Sequence, residues 1–231
     1  MSKHLKRYVA PKTWNIKRKR RTYISKSSPG THKIGMSLPL NVILRDILGY
    51  ANSNREVKFI LEKKQVTVDG IRRKDYRFPV GLFDVLSLND VTDHFRVILD
   101  KKGKLDLVKI SEGEKGIKLC RVKGKCVVKG KVQLNLEGGR NILVKEAGYK
   151  TGDAVLIDLG KKNEIKQKIG LEKNVQVYLT GGKHIGQTGK VQDITDNRVL
   201  CKAETGEVIE TLKRDVFPIG KDKPLIDLTG R

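Results

Sequence analysis

SLPLNVILRDILGYANSNREVKFILEKKQVTVDGIRRKDYRFPVGLFDVLSL, residues 37–88, is the stretch whose pattern decides the fold. Pro39 suits a first helical turn, and Leu40, Ile43, Leu44, Ile47 and Leu48 recur at the spacing of one helical face, so a helix runs from Pro39 until Gly49 ends it. A second helix opens at Ser53-Asn54-Arg55-Glu56, a capping box in which Ser hydroxyl and Glu carboxylate satisfy each other's orphan amides. Its inward face is Val57, Ile60 and Leu61. Val66-Thr67-Val68 follows as a strand turning at Asp69-Gly70, a hairpin signal, and a closing strand completes the stretch. Arg55, Lys58, Lys63 and Lys64 are left for the outer surfaces, and Arg72, Arg73 and Lys74 stand just past the turn.

The run from Ser53 to Gly70, with apolar Val57, Ile60, Leu61, Val66 and Val68 before the Asp69-Gly70 turn, resembles the small RNA-binding module named after bacterial ribosomal protein S-four. It departs in two places: Asn54 stands where the family has Arg directly after the capping Ser, with Arg55 one place later, and Lys64 replaces the Gly before the strand.

Charge extends that reading to the entire chain. Among 231 residues, 49 Lys and Arg against 26 Asp and Glu give a net charge of +23, far beyond what solubility needs, which points to a polyanionic partner. No run of about 18 apolar residues, signal peptide or lipidation motif supports a membrane surface, which leaves nucleic acid. Cys120, Cys126 and Cys201 have neither disulfide-rich nor paired zinc spacing, so ordinary thiols, a reducing cytoplasmic compartment and no metal are expected.

Residues 1–36 contain no acid, the first carboxylate being Asp46, yet they carry Lys3, Lys6, Arg7, Lys12, Lys17, Arg18, Lys19, Arg20, Arg21, Lys26 and Lys33, with His4 and His32 as further donors. So little apolar surface and so much like charge predict an extended basic arm that orders on RNA. Tyr8, Trp14 and Tyr23 are interleaved; Trp14 or Tyr23 either stacks on an unpaired base or packs the arm onto its own protein. A solvated tail, or a nuclear-localisation signal at Lys17 to Arg21, are the competing readings.

His4-Leu5-Lys6-Arg7, Ala10-Pro11-Lys12 with Trp14, Gly30-Thr31-His32-Lys33 and Leu38-Pro39-Leu40 together resemble the small-subunit ribosomal protein S-four-e family of archaea and eukaryotes. The likeness continues through Phe78-Pro79-Val80-Gly81-Leu82-Phe83-Asp84-Val85. It implies a structural protein of the small ribosomal subunit, binding 16S-type rRNA beside neighbouring ribosomal proteins, with no small-molecule substrate and no cofactor.

From about Phe95 the pattern becomes short alternating runs, Phe95/Val97/Leu99, Leu105/Leu107, Leu119/Val122, Val132/Leu134/Leu136 and Val155/Ile157/Leu159, broken by glycines and charged turns. This predicts a central β domain, whose Lys123, Lys125, Lys129 and Lys131 either meet phosphate or form a solvated turn face. Near Asn174 a last module begins. Gly181-Gly182-Lys183-His184-Ile185-Gly186-Gln187-Thr188-Gly189, between Val175-Gln176-Val177 and the strand from Val191, resembles the KOW motif, with Lys183, His184 and Lys190 at a basic loop tip. Gly189 is expected to tolerate nothing larger, although the glycine run also reads as a purely structural hairpin. Arg198 to Ala203, Glu207 to Leu212 and Val216 to Gly220 would complete a small five-stranded barrel.

The expected architecture is therefore α+β and multi-module: a basic arm (1–36), an S-four-like module (37–93), a central β domain (94–170), a KOW-like barrel (171–220) and a tail (221–231). No histidine pair has metal spacing, and no nucleophile elbow, phosphate loop or dinucleotide fingerprint occurs, so an enzyme is not expected.

Overall fold

The computed structural model of the chain describes residues 4–128, 130–144, 148–160, 164–203 and 206–228. It is mostly β, with few helices, and divides into two compact units. Among the described residues, one takes in the chain to Ile98 together with Lys104–Lys115; the other takes in Leu99–Gly103 and the chain from Gly116 to Leu228.

In the first unit, β1 (His4–Lys6) pairs antiparallel with β2 (Tyr23–Ser25), setting Leu5 opposite Ile24. There follow β3 (Ser37–Pro39), α1 (Leu40–Val42), α2 (Asn54–Lys63), β4 (Val66–Val68), β5 (Ile71–Arg72), β6 (Pro79–Gly81), β7 (Val85–Leu88), β8 (Asp93–Leu99) and β9 (Leu105–Lys109). β3 pairs with β6, while β5-β4-β7-β8-β9 form one sheet. Leu40, Val42, Ile43, Leu44, Val57, Leu61, Val66, Val68, Val85 and Leu86 are all buried, so both helices turn their apolar faces inward.

Three expectations change here. Residues 4–36 are not a free arm. Trp14 is buried, its indole donating to the Ile34 carbonyl at 3.2 Å, and the Leu105 amide donates to the Thr13 carbonyl at 2.7 Å. Ala10 and Ile24 are buried too. The segment supplies few apolar residues, but it sets them on an existing core, and its own cations satisfy its carbonyls. Second, the helix expected from Pro39 to Leu48 is regular only over α1; Ile43–Ile47 forms a π-turn, closed by Leu48 N–H donating to the Ile43 carbonyl at 2.9 Å, and Ile47 and Leu48 are half-buried. Asn41 and Val42, which the expected apolar stripe leaves aside, are both buried in α1. Third, the runs assigned to the start of the central domain, β8 and β9, lie in the N-terminal sheet, because β8 pairs with β7.

In the second unit, β10 (Ile117–Val128), β11 (Lys131–Leu136), β12 (Asn141–Val144), β13 (Ala154–Asp158) and β14 (Glu164–Ile169) form a sheet ordered β12-β11-β10-β13-β14. The long β10 serves β13 with its first half and β11 with its second, with a register shift between Val122 and Gly124. Cys120, Val122, Leu134, Leu136, Val155 and Ile157 make its core. β15 (Gln176–Leu179), β16 (Thr188–Ile194), β17 (Arg198–Ala203), β18 (Val208–Leu212) and β19 (Val216–Gly220) form the other sheet, ordered β18-β17-β16-β15-β19. The two sheets belong to one compact unit rather than to separate domains. Arg121 of β10 donates to the Val216 carbonyl at 3.1 Å and lies over the Phe217 ring at 5.7 Å, while Glu137 holds its Nε at 3.1 Å.

Candidate nucleic-acid interface

The cations of the first segment divide into those used inside the protein and those offered outward. Arg7 is buried: its guanidinium donates to Asp46 Oδ1 at 2.8 Å and to the Lys17 carbonyl at 2.9 Å. Arg45 takes the other oxygen of Asp46 at 2.8 Å and donates to Asn54 Oδ1 at 2.6 Å, which also accepts from buried Asn41. Asn41 donates in turn to Ser25 Oγ, so a polar chain joins the first segment to the start of α2. Arg18 donates to the carbonyls of Tyr8, Ala10 and Pro11 at 3.0, 2.9 and 3.0 Å. His32 rests on Asp84, with Nε2 2.9 Å from Oδ2, an oxygen that also accepts the Gly81 amide. Arg7, Arg18 and His32 are therefore corrected from outward contacts to internal ties: each is engaged by an acceptor of the protein itself.

Lys12, Lys17, Lys19, Arg20, Arg21 and Lys33 are exposed and form no ion pair among the described residues, since the nearest acid in sequence, Asp46, is engaged by Arg7 and Arg45. His4 and Lys6 are exposed on β1, and Lys26 is half-buried; Lys3 lies outside the described residues. On α2 and just beyond it, Arg55, Lys58, Lys63 and Lys64 are exposed, with Lys58 Nζ 5.2 Å from the Tyr76 ring centre. Arg72 is exposed and donates to the Glu62 carbonyl at 2.9 Å; Arg73, half-buried, lies 4.3 Å over Phe78; Lys74 is exposed. Asp69 and Gly70 both adopt positive φ in the turn between β4 and β5.

The Ser53 hydroxyl accepts from the Glu56 amide at 3.2 Å, and the Glu56 carboxylate accepts from the Asn52 amide at 2.8 Å and the Ser53 hydroxyl at 2.7 Å. Those donors, the Asn52 amide first, hold Glu56 below the usual carboxylate range.

In the second unit, Lys183 and Lys190 are exposed and His184 half-buried, beside a loop whose glycines serve its own backbone. Gly189 lies between β15 and β17, where an added Cβ would stand 2.8 Å from the Lys202 carbonyl oxygen. Gly186, at φ +78°, is tighter still, an added Cβ standing 2.5 Å from the Asp100 carbonyl oxygen, so Gly189 does not carry the constraint alone. On β10 and β11, Lys123, Lys125 and Lys131 are exposed, with Lys125 donating to the Tyr149 carbonyl at 2.7 Å; Lys129 lies outside the described residues. Cys120 and Cys201 are buried, burial pushing the Cys201 thiol up to about 11, while Cys126 is exposed.

Sequence reading missed Arg45, Asn54, Tyr76 and Arg77, which share a cleft with His4, Tyr23 and Lys26. Arg45 was visible only as a charge amid an apolar helix, and the return of residues 75–77 to the first segment, where Ser28 N–H donates to the Arg77 carbonyl at 2.9 Å, leaves no local pattern.

Fold and charge together define a mostly β, strongly basic protein built around outward-facing cations. The comparisons make the class specific. The model of the ribosomal family S4e matches residues 91–164, and that of the RS4NT domain matches residues 1–35. The chain is 46% identical to the small ribosomal subunit protein eS4 of Methanosphaera stadtmanae, covering 99% of this chain and 96% of that one. It is 42% identical to the eS4 protein of Methanococcus aeolicus over 98% of this chain and 97% of that one. A solved structure of the 30S ribosomal protein S4e from Thermoplasma acidophilum superposes with a TM-score of 0.69 at 30% identity, covering 80% of this chain and 96% of that one. The chain belongs to the ribosomal S4e family, whose members are structural proteins of the small ribosomal subunit and not enzymes.

Proposed function

We propose that the chain holds small-subunit rRNA in shape, in the cytoplasm and beside neighbouring ribosomal proteins, chiefly through phosphate and RNA-shape contacts. The observation that carries this is the set of exposed cations at Lys12, Lys17, Lys19, Arg20, Arg21 and Lys33, in a segment with no acid, none of which forms an ion pair among the described residues. Arg55, Lys58, Lys63 and Lys64 extend the positive surface across an S-four-like module, and Lys183, His184 and Lys190 supply a second contact on a KOW-like barrel. Lys and Arg in such numbers position a protein on phosphate without reading base sequence, which suits a ribosomal scaffold gripping A-form helices.

Sedimentation of a tagged chain from lysate through sucrose gradients tests this reading, first at low salt and then at about 1 M, where surface charge is screened within roughly 3 Å. Stoichiometric persistence with small subunits and recovery of their rRNA is the expected outcome. Release at high salt, or presence only in precursor fractions, would assign the chain to assembly or regulation instead.

A further inference from the structure

Within the first unit, a cleft of about 290 Å³ opens between β2, the start of α2 and the segment through Tyr76 and Arg77. Its walls carry three rings, His4, Tyr23 and Tyr76, and three cations, Lys26, Arg77 and the Asp46-paired Arg45, and no carboxylate among the described residues lines it. That combination is selective. Rings offer flat apolar faces on which any base stacks, whereas guanidinium and ammonium groups offer donors for phosphate oxygens. The volume is near the lower end of small-molecule sites, roughly 300 Å³, which suits one nucleotide rather than a helix or strand.

The walls are held in place before any ligand arrives. Arg45 is fixed by Asp46 and Asn54, and Arg77 donates from Nε to the Lys26 carbonyl at 3.2 Å. Tyr76 lies under Lys58 at 5.2 Å. Asn54 uses Oδ1 to accept from Asn41 and Arg45, which leaves its amide N–H donors for a base edge. Tyr23 is 57% exposed, with His4 tilted against it at 5.8 Å. Its ring therefore keeps a face open to a ligand beside the fixed cations.

We propose that this cleft takes one unpaired nucleotide extruded from the bound RNA, its base held against both Tyr23 and Tyr76 and its phosphate met by Lys26 and Arg77. The proposal rests on the RNA-binding reading above and adds to it a site that discriminates single-stranded from paired RNA.

The test uses the full chain and two fluorescent probes, a single-stranded RNA of about ten nucleotides and a blunt RNA duplex of about 16 base pairs. At constant salt, Tyr23→Leu and Tyr76→Leu should each weaken single-strand binding about tenfold, Tyr23→Phe should restore it, and duplex binding should stay unchanged. Unchanged single-strand affinity in Tyr23→Leu, or an equal loss on both probes, would overturn the cleft while leaving salt-dependent duplex binding intact. Failure of the unmodified chain to bind either probe would overturn the RNA-binding reading itself, and the cleft with it. A second readout avoids substitution: 4-thiouridine in the single strand should crosslink to peptides containing Tyr23 or Tyr76, and crosslinks confined to other peptides would sink the proposal.

Discussion

Asp46 shows how one residue's cost depends on what its removal leaves behind. It is the first acid in the chain, and both its oxygens are taken, one by buried Arg7 and one by Arg45. Neutralising it strands Arg7 in a site with almost no water, so Asp46→Asn should cost about 3 kcal/mol or more in denaturant unfolding. Arg7→Met should cost less, because Asp46 keeps Arg45; equal losses would show that the stranded charge is not what decides. His94 gives the pH dependence. Burial, helped by the Lys115 charge and opposed by Glu112 and Asp93, holds its imidazole below the ordinary value of 6.5. A histidine kept neutral in the fold binds protons more readily when unfolded. Its contribution is therefore full above about pH 6.5 and is lost as pH falls through that value toward the folded pKa. The unfolding midpoint should drop over this window, and His94→Gln should flatten the drop; an unchanged profile in the variant would place the titration elsewhere.

At the scale of elements, the helix cap and the glycine loop test opposite kinds of legibility. The Ser53 cap was readable because capping is local, its partners lying within four residues. Ser53→Ala should cost about 1 kcal/mol in thermal or denaturant unfolding, and no loss would mean that packing of Val57 and Leu61 alone sets the start of α2. Gly189 was also singled out from sequence, but the reason lies in another strand: its Cβ would press on the Lys202 carbonyl of β17. Gly189→Ala should destabilise by about 1–3 kcal/mol as β16 and β17 are forced apart. Hydrogen exchange should then rise first in those two strands, and exchange rising equally across the first unit would contradict a local cause. The π-turn at Ile43–Ile47 is the converse case, since nothing in Ile-Leu-Arg-Asp-Ile announces a wider turn.

For the whole molecule, binding is a question of how many exposed cations meet phosphate. Deleting the first 33 residues would be a poor test, because Arg7, Trp14 and Ile24 are part of the first unit's interior. Substituting Lys12, Lys19, Arg20 and Arg21 together by Ala leaves that interior alone and removes four charges. If all four meet phosphate, the slope of log affinity against log salt should become shallower by roughly 3, with the melting temperature unchanged. An unchanged slope would exclude these four side chains as phosphate contacts. Fluorescence anisotropy across a salt series reads the slope directly.

Short-range order made several parts legible in the sequence: the apolar face of α2, the cap at Ser53, the Asp69-Gly70 turn and the alternating strands beyond Phe95. The sequence by itself also determined the basic balance and the family. Tertiary structure alone decided three things: which cations stay outside, which strands share a sheet, and where the cleft lies. Arg7 and Arg20 are equally charged in sequence, but only packing gives Arg7 an acid 39 residues away. β8 and β9 alternate like the strands that follow, yet pairing with β7 carries them into the first sheet, because a ladder is satisfied by whichever edge meets it. Tyr23 and Tyr76 line one cleft because the chain returns, a fact of long-range contact that no local periodicity encodes.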